Sequence, residues 1–350
     1  MRNKTGLLIS VSLLLCFGLT TIWSTVPNLF WVQLGFLVIG IFVAFVFYKL
    51  DFTIAFSLST FIYIFSIFLL VITLFFGQSI RGATRWIGIG TNQLQTSEIV
   101  KPLLALAYAG FLAKHPLNKL KNLVVYAVAS LIPVFLVKSQ PDLGSALVLL
   151  VLSGFMGLFA RINLRWIIAI SLFVLVLVPL SPYFLKDYQR DRIESFLNPY
   201  HDPKGKGYNA IQSVIAIGSG GLIGKGVSLG TQSHLNFLPE RHTDFIFASF
   251  AEEFGLLGIV LVLFAYFYLL YRLFDISNRL KDRENRLLAL GILSIFMFQS
   301  VINIGMNLGV MPVTGITLPL FSYGGSSLIS FAALFGMSLR LLELTPIHQI

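Results

Sequence analysis

Long apolar runs, interrupted by short charged segments, dominate the chain. Residues 5–48 contain no charged side chain, and these 44 positions are too many for one membrane helix but enough for two, with a break at Pro27-Asn28. Residues 287–339 repeat the pattern over 53 uncharged positions, and their break falls in the stretch 311–319. Because a span needs about 20 apolar residues, these two runs predict four transmembrane helices.

The other apolar runs predict six further spans and bring the total to ten. They are the runs 52–80, 94–113, 122–137, 143–160, 166–185 and 244–271. All ten are expected to be helical, because lipid offers the backbone no other hydrogen-bond partners. The prediction is therefore an all-α, polytopic transmembrane helix bundle. It forms a single integral membrane domain, residues 1–350, with one long outer loop, 181–243, between spans seven and eight.

The composition supports this class of protein. Of the 350 residues, 56% are hydrophobic and 11% are charged, whereas soluble domains carry roughly 25% charged residues. These values exclude a soluble globular protein and a disordered chain. The one cysteine, Cys16, lies in an apolar run, so neither a disulfide within the chain nor a cysteine metal site is expected.

Lysine and arginine residues are divided unequally between the two sides of the predicted bundle. Fourteen lie in segments on one side, against three in the short loops of the other, namely Arg81, Arg85 and Lys138. Because cytoplasmic loops hold the basic excess, both termini are predicted to be cytoplasmic and the long loop to lie outside. The net charge of +10 is thus mostly a topology signal, and no nucleic-acid partner is expected.

Ionisable side chains inside membrane spans are costly and mark functional sites by default. Glu98 and Lys101 are three residues apart in span four, so they share one helical face. A structural ion pair between helices explains them equally well. Asp142 opens span six, where helix capping is its first explanation. Glu252 and Glu253 point about 100° apart on a helix, and we expect them to pack against basic groups of neighbouring helices.

The outer end of the predicted bundle holds further candidates. Asp244 lies where the long loop enters span eight, and it serves either catalysis or capping of that helix. Arg241 and His242 precede it and suit lipid headgroups as well as a substrate. The first outer loop adds two guanidinium groups and an indole: Arg81, Arg85 and Trp86. These suit a site, or an aromatic anchor at the membrane interface.

Several familiar kinds of site are absent from the sequence. The glycine-rich stretch 218–224 has Ile223 where a dinucleotide fingerprint needs its third glycine, and no P-loop follows it. The five histidines lack metal-ligand spacing, and there is no nucleophile elbow. An outward-facing site has neither ATP nor nucleotide sugars. An enzyme there needs an energy-rich substrate, for example a lipid-linked diphosphate.

Four motifs resemble one known family. Residues 303–327 read NIGMNLGVMPVTGITLPLFSYGGSS, and with their spaced Asn, Gly, Pro and Ser they resemble the signature of the SEDS family (shape, elongation, division and sporulation). The segments 239–245 (PERHTDF), 82–86 (GATRW) and 140–144 (QPDLG) resemble that family as well. The likeness covers the whole chain, and Arg241 is more typical of the rod-shape branch than of the division branch.

The resemblance implies a peptidoglycan glycosyltransferase that polymerises lipid II into β-1,4 glycan strands at the outer face of the bacterial inner membrane, for cell elongation and rod shape. It implies a class B penicillin-binding protein transpeptidase and the elongation machinery as partners, with no nucleotide cofactor. It places the catalytic aspartate at Asp244. The candidate substrate-binding residues are Arg81, Arg85, Trp86, Glu98, Lys101, Gln140, Asp142, Glu240, Arg241, His242, Ser322, Gly324, Gly325 and Ser326.

The expected mechanism is one displacement with inversion, because the donor sugar is α-linked and the product is β-linked. Asp244 would act as general base on the 4-hydroxyl of the acceptor GlcNAc. The leaving diphosphate needs positive charge, from Arg85, Lys101, Arg241 or a divalent cation (magnesium or manganese). Glu98 would hold Lys101 oriented and charged.

Alternative functions explain only part of the pattern. A flippase or transporter for the same lipid needs polar groups along the whole crossing, whereas the ionisable groups cluster at the outer end. A scaffold for the penicillin-binding protein does not explain Lys101 in lipid. The glycines in the stretch 323–327 suit a close backbone approach near a site, and tight helix packing explains them equally well.

Overall fold

The computed structural model describes residues 4–80, 83–89, 92–163, 165–166, 168, 187–205 and 207–346. These residues are mostly helical and confirm the predicted all-α bundle. Eight of the described helices are long and apolar enough to cross a membrane. They are α1 Lys4–Thr25, α2 Pro27–Lys49, α4 Ser59–Phe76, α5 Thr96–Lys114, α6 Leu120–Ser139, α11 Ile246–Arg279, α12 Arg283–Asn307 and α13 Gly325–Leu344.

Five shorter α-helices and one 3-10 helix, Pro199–His201, complete the described helical structure. The five α-helices are α3 Phe52–Ser57, α7 Leu143–Phe159, α8 Asp187–Leu197, α9 Tyr208–Ser219 and α10 Thr231–His234. Helix α7 is an apolar helix of 17 residues at the position of the predicted sixth span. The predicted seventh span, 166–185, lies almost entirely outside the described residues. The total of ten spans therefore stays a prediction.

The predicted breaks between helices are close to the observed ones. Pro27 is the first residue of α2, a position where its missing N–H costs no helical hydrogen bond. The third predicted span is divided at Leu58 into α3 and α4. The stretch 311–319 contains no helix and separates α12 from α13, as expected.

A small sheet, which the apolar pattern does not predict, covers one end of the bundle. Its strands are β1 Gln78–Ile80, β2 Ala83–Ile89 and β3 Asn92–Gln95, antiparallel in that order. The predicted third span extends to residue 80, but α4 ends at Phe76 and the chain becomes extended at Gly77. Likewise, the predicted fourth span begins at residue 94, inside β3. Each β-strand is too short to disturb an apolar count over a whole span.

The two ends of the bundle can be distinguished by their contacts. The Nζ atom of Lys4, at the start of α1, lies 2.5 Å from Oε1 of Glu343, near the end of α13. The start of α1 and the end of α13 therefore lie at the same end of the bundle, which we call the terminus end. The three-stranded sheet lies beyond α4 and before α5, at the opposite end, which we call the sheet end.

Helix α11 is broken one-third of the way along its length. Gly255 has φ 64° and ψ −164°, and a Cβ there would lie 2.2 Å from the backbone nitrogen of Gly224. The turn that follows α9 packs into this break. The amides of Leu256 and Leu257 donate to the carbonyls of residues 221 and 222 at 2.9 and 3.1 Å, and so replace helical hydrogen bonds.

The two buried glutamates before this break have different partners, as their angular separation predicts. Glu252 accepts hydrogen bonds from Lys225 Nζ at 2.7 Å and Ser233 Oγ at 2.9 Å. Glu253 accepts from the hydroxyl of Ser24 and lies 3.2 Å from His234 Nε2. The expectation that basic groups of neighbouring helices would pair with them is met by His234, the last residue of the short helix α10, but not by Lys225, which lies between α9 and α10. Their basic partners come from the long loop, which is thereby fastened to α11.

We first predict the orientation of this bundle in the membrane. Lys204 is exposed in the long loop at the sheet end. After replacement of Cys16, the only cysteine, the variant Lys204→Cys should react with a membrane-impermeant thiol reagent in intact cells, because the basic residues place this loop outside. A cysteine at Lys114, at the other end of α5, is the matched control and should react only after lysis. The reverse pattern would place the sheet end in the cytoplasm.

Candidate active site

A cavity of about 440 Å³ opens at the sheet end. Its walls come from β2 and β3, from the loop before α11, from the loop between α12 and α13, and from α2. The lining residues are Phe36, Arg85, Trp86, Gln93, Gln95, Glu240, Thr243, Asp244, Gly315, Thr317, Tyr323, Gly324, Gly325, Ser326 and Ser327. Seven of the fifteen predicted site residues line it: Arg85, Trp86, Glu240, Asp244, Gly324, Gly325 and Ser326.

The backbone of Asp244 is held by two buried amides on α12. Nδ2 of Asn303 donates to the carbonyl oxygen of Asp244 at 3.1 Å, and Nδ2 of Asn307 donates to the same oxygen at 3.0 Å. Oδ1 of Asn307 in turn accepts from the amide of Ala248 in the first turn of α11 at 3.0 Å. This arrangement fixes the position where the chain turns from the loop into the helix.

The Asp244 side chain lies beside the loop between α12 and α13. Gly315 has φ 74°, and a Cβ built on it would lie 3.6 Å from Oδ2 of Asp244. The N-cap residue of α11 is Phe245, not Asp244. Asp244 is thus one residue before the N-cap, and its side chain lies on the wall of a polar cavity.

The segment before Asp244 is fastened to the last part of the signature, just before α13. Ser322 Oγ donates to the carbonyl of Thr243 at 2.7 Å, and the amide of Tyr323 donates to the carbonyl of His242 at 2.9 Å. Thr243 Oγ1 donates to Oε2 of Glu240 at 3.2 Å. Ser322 thus lies behind the cavity wall and positions the loop that carries Asp244.

Arg241 and His242 belong to this loop but do not line the cavity. The guanidinium group of Arg241 donates to the carbonyl of Thr25, at the end of α1, and to Oδ1 of Asn236. Burial lowers the pKa of this guanidinium group. The His242 ring packs against the Tyr323 ring with centroids 5.5 Å apart, and burial raises the pKa of the Tyr323 phenol.

Arg85 supplies positive charge on the opposite wall, from strand β2. Its side chain is 31% exposed, and NH1 lies 3.7 Å from Oδ1 of Asp142. Trp86 follows it in the strand, and its ring lies 5.8 Å from the Arg85 guanidinium carbon. A cation of this kind, partly open to the cavity, can meet an anionic group of a ligand without a change of fold.

Asp142 combines the structural role expected for it with a role at the site. Oδ1 accepts from the amide of Ser145 at 3.1 Å and so caps α7, as expected. Oδ2 accepts from Nε2 of Gln95 at 2.7 Å and from Oγ of Ser97 at 3.2 Å. One buried carboxylate therefore connects α7 with two residues of the cavity wall, Arg85 and Gln95.

Glu98 and Lys101 form a buried ion pair that does not line the cavity. Lys101 Nζ lies 2.5 Å from Glu98 Oε2, and the lysine side chain is 0% exposed. The ring of Phe331 on α13 covers the ammonium group at 5.3 Å from its centroid. The structural alternative was an ion pair between helices, whereas the observed pair lies within α5, and α13 contributes the ring of Phe331.

Two further predicted residues lie elsewhere. Gln140 is buried and donates to the carbonyl of Leu70 on α4 at 2.9 Å, so it joins helices and does not line the cavity. Arg81 lies outside the described residues. Of the glycines near α13, Gly325 is required by packing, since a Cβ there would lie 2.6 Å from the ring of Phe36.

Other wall residues were not predicted. They are Phe36, Gln93, Gln95, Thr243, Gly315, Thr317, Tyr323 and Ser327. Gln93 and Gln95 are two apart in β3, so both can face one side of the sheet. The available signal was a short alternation of amide side chains just before α5. It indicates a cavity wall only once the sheet is known.

The described residues offer no ready metal site. No three His, Cys, Asp or Glu side chains of the described ranges lie close enough together to hold a metal ion. The acidic residues on the cavity wall are Asp244 and Glu240, and the nearest buried carboxylate, Asp142, is engaged by α7, Ser97 and Gln95.

Comparisons with known proteins agree with this arrangement. A family model described as "Cell cycle protein", which covers FtsW, RodA and SpoVE, matches residues 3–345. The peptidoglycan glycosyltransferase MrdB of Escherichia coli K12 is 45% identical over 280 residues, 79% of this chain and 75% of that protein. A probable peptidoglycan glycosyltransferase FtsW of Escherichia coli O6:H1 is 37% identical over 79% of this chain and 68% of that protein.

Solved structures match nearly the whole chain. One, described as the structural coordination of polymerization and crosslinking by a peptidoglycan synthase complex, superposes with a TM-score of 0.83 at 37% identity over 97% of both chains. The rod shape determining protein RodA of Thermus thermophilus superposes with a TM-score of 0.73 at 32% identity, over 97% of this chain and 96% of that one. With these motifs, this fold and a family match over almost its entire length, the chain belongs to the FtsW/RodA/SpoVE family of cell cycle proteins, the SEDS family.

Proposed function

We propose that this chain, a peptidoglycan glycosyltransferase like its relatives, polymerises lipid II in the cavity at the sheet end. The observation that carries the proposal is that Asp244 and Arg85 line the same cavity from separate elements. A carboxylate and a guanidinium group on the walls of one polar cavity are the two groups that the reaction needs, one for the attacking hydroxyl and one for the departing diphosphate.

In the proposed reaction, Asp244 takes the proton from the 4-hydroxyl of the acceptor GlcNAc. The hydroxyl oxygen then bonds to C1 of the donor MurNAc, while the bond from C1 to the diphosphate oxygen breaks. Undecaprenyl diphosphate leaves with its added negative charge beside Arg85. One displacement of this kind inverts the α-linked donor to a β-1,4 product.

The other proposed cations are less well placed for the leaving group. Lys101 is fully buried beside Glu98 and does not line the cavity. Arg241 donates to the end of α1 and to Asn236. No three His, Cys, Asp or Glu side chains of the described residues could hold a metal ion, so a magnesium or manganese ion would need oxygen ligands from the diphosphate as well as from Asp244 or Glu240. We therefore assign the leaving-group charge to Arg85 and route no step through a metal.

The same proposal places the site in the cell. The protein lies in the bacterial inner membrane with both termini in the cytoplasm. The cavity then faces outward, where lipid II is used and nucleotide sugars are absent. A class B penicillin-binding protein transpeptidase and the elongation machinery are the partners we propose. The match to a peptidoglycan synthase complex supports the first of these. The direct test is polymerisation of purified lipid II by the purified protein, with and without that transpeptidase.

The structure gives little support for transport as the alternative function. Buried aromatic rings pack against one another inside the bundle, with the ring centroids of Phe296 and Phe331 4.9 Å apart and those of Phe250 and Phe321 5.3 Å apart. A flippase needs polar groups along the crossing. Among the described residues, the polar groups that line the cavity lie at the sheet end of the bundle.

The second prediction concerns the general base. Asp244→Asn keeps the shape of the side chain but cannot accept a proton at neutral pH. We expect the rate of lipid II polymerisation to fall by at least ~10²-fold, the lower end of what a positioned base contributes. Stability should stay within about 1 kcal/mol of wild type, because the backbone carbonyl that Asn303 and Asn307 hold is unchanged.

The control for this variant is Glu240→Gln, which changes the other acidic residue of the cavity wall. If Asp244 is the base, the Glu240 variant should lose much less activity than the Asp244 variant. An Asp244→Asn protein that polymerises at more than a tenth of the wild-type rate would sink the assignment, and Glu240 would be the next candidate.

The third prediction concerns the leaving group. Arg85→Gln removes the cation from the cavity wall, and we expect kcat for polymerisation to fall by ~10²-fold, as for other groups that stabilise charge in a transition state. Arg85→Lys should recover part of the loss, because the charge returns without the planar fork. Equal rates for the Gln and Lys variants would show that charge at this position does not matter.

The fourth prediction separates structure from catalysis at the buried ion pair. Lys101→Met leaves Glu98 as a buried charge without its partner, which typically costs 3–5 kcal/mol. The double variant Glu98→Gln/Lys101→Met removes both charges and should recover most of the thermal stability. Because neither residue lines the cavity, it should also recover most of the polymerase activity. A stable but inactive double variant would instead show that the Lys101 charge acts on the substrate.

A further inference from the structure

The wall residue Gln95 has a side-chain amide whose orientation is set by its neighbours. Its Nε2 donates to Oδ2 of Asp142 at 2.7 Å and to Oγ of Ser97 at 3.0 Å. An ionised carboxylate can only accept hydrogen bonds, so the NH₂ side of the amide must face Asp142. The serine hydroxyl donates to the same Oδ2 at 3.2 Å and is therefore an acceptor towards Gln95.

This network uses both N–H groups of Gln95 and leaves its carbonyl oxygen. Among the described residues, no hydrogen bond to Oε1 of Gln95 is formed, although Gln95 lines the cavity. The backbone amide of Gln95 is also occupied, since it donates to Oγ of Ser326 at 2.8 Å. The residue therefore offers the cavity one acceptor in a fixed orientation. Such an acceptor selects a ligand group that carries an N–H or O–H donor.

Asp142 relates this acceptor to the proposed diphosphate position. The same carboxylate lies 3.7 Å from Arg85 NH1, through Oδ1, and binds Gln95 through Oδ2. Because Arg85 and Gln95 contact the two oxygens of one carboxylate, they are neighbours on the cavity wall, and a diphosphate on C1 beside Arg85 brings the substituent on the adjacent carbon, C2, within reach of Gln95. In MurNAc that substituent is an acetamido group, and its N–H is a donor.

We propose that Gln95 is a specificity-determining residue that accepts a hydrogen bond from the C2 acetamido N–H of the donor MurNAc. Asp142 is the positioning residue that holds the side chains of Gln95 and Arg85 in place. This inference rests on the proposed function, because it takes lipid II as the ligand. It goes further by assigning one atom of the protein to one substituent of one sugar.

The test uses two lipid II analogues in which a single nitrogen is replaced by oxygen. One carries an acetoxy group in place of the acetamido group at C2 of MurNAc, and the other carries it at C2 of GlcNAc. Each keeps the shape and the carbonyl but lacks one N–H. For the wild-type protein, kcat/KM with the MurNAc ester should be lower than with lipid II by ~10-fold or more, as expected when a built acceptor is left unpaired. The GlcNAc ester should have a much smaller effect.

Variants on strand β3 supply the matched comparison. Gln95→Met removes the acceptor, so natural lipid II and the MurNAc ester should be used at rates that differ by less than about 2-fold, the scale of a lost selective contact. Gln93→Met changes another amide of the same cavity wall that has no bond to Asp142 in the described structure, and it should keep the wild-type ratio between the two substrates. Asp142→Asn, which lets the Gln95 amide turn, should reduce the ratio without abolishing it.

Binding measured without turnover separates this inference from the proposed function. Lipid II, the MurNAc ester and the GlcNAc ester are each bound to the wild-type protein and to Gln95→Met in nanodiscs. Their dissociation constants are then compared. A wild-type preference for the acetamido lipid that disappears in Gln95→Met supports the inference, whether or not polymerisation is seen. Equal binding and equal kcat/KM of lipid II and the MurNAc ester in the wild type would overturn it. Discrimination against only the GlcNAc ester would move Gln95 to the acceptor sugar and also overturn it.

Discussion

The pair of asparagine amides that hold the carbonyl of Asp244 is the contact on which the site depends. In the interior of a membrane bundle a backbone oxygen has no water to accept from, so it needs a partner within the protein. Asn303 and Asn307 lie one turn apart on α12 and both donate to this oxygen. Asn303 also donates to the carbonyl of Ile316 at 2.7 Å. The same face of α12 therefore positions both the loop that carries Asp244 and the loop between α12 and α13.

Asp142 has a comparable function on the other wall. Strands β2 and β3 lie outside the helical core, where a short sheet has little packing of its own. Their cavity residues are connected to the bundle by a carboxylate that also caps α7. Thus the groups proposed to touch the substrate lie on strands and loops, and they are positioned by Asn303 and Asn307 on α12 and by Asp142 at the start of α7. The proposed acceptor at Gln95 is a direct result of that division.

The sequence predicts the helices well because a membrane span is a long signal of one kind. The runs at 5–48 and 287–339 were divided correctly, and Asp244, Arg85 and Trp86 were predicted and do line one cavity. The sheet, the break at Gly255 and the glutamines of β3 could not be predicted in the same way. Each depends on a few residues whose partners are distant along the chain, such as Gly224 for Gly255.

Lys101 illustrates why residue type and depth do not suffice to assign a role. A lysine in an apolar helix must be stabilised, and either an anionic substrate or a neighbouring carboxylate can do so. The sequence contains both explanations, since Glu98 is three residues away and the resemblance to the family implies a substrate with a diphosphate. The geometry favours the neighbour, because the Lys101 ammonium group is fully buried between Glu98 and the ring of Phe331. Arg85, in contrast, is partly exposed on the cavity wall, where its NH1 lies 3.7 Å from Oδ1 of Asp142. A cation that still has room for a ligand is the one that can follow charge as it develops during a reaction, whereas a cation already enclosed by its partner contributes to the fold.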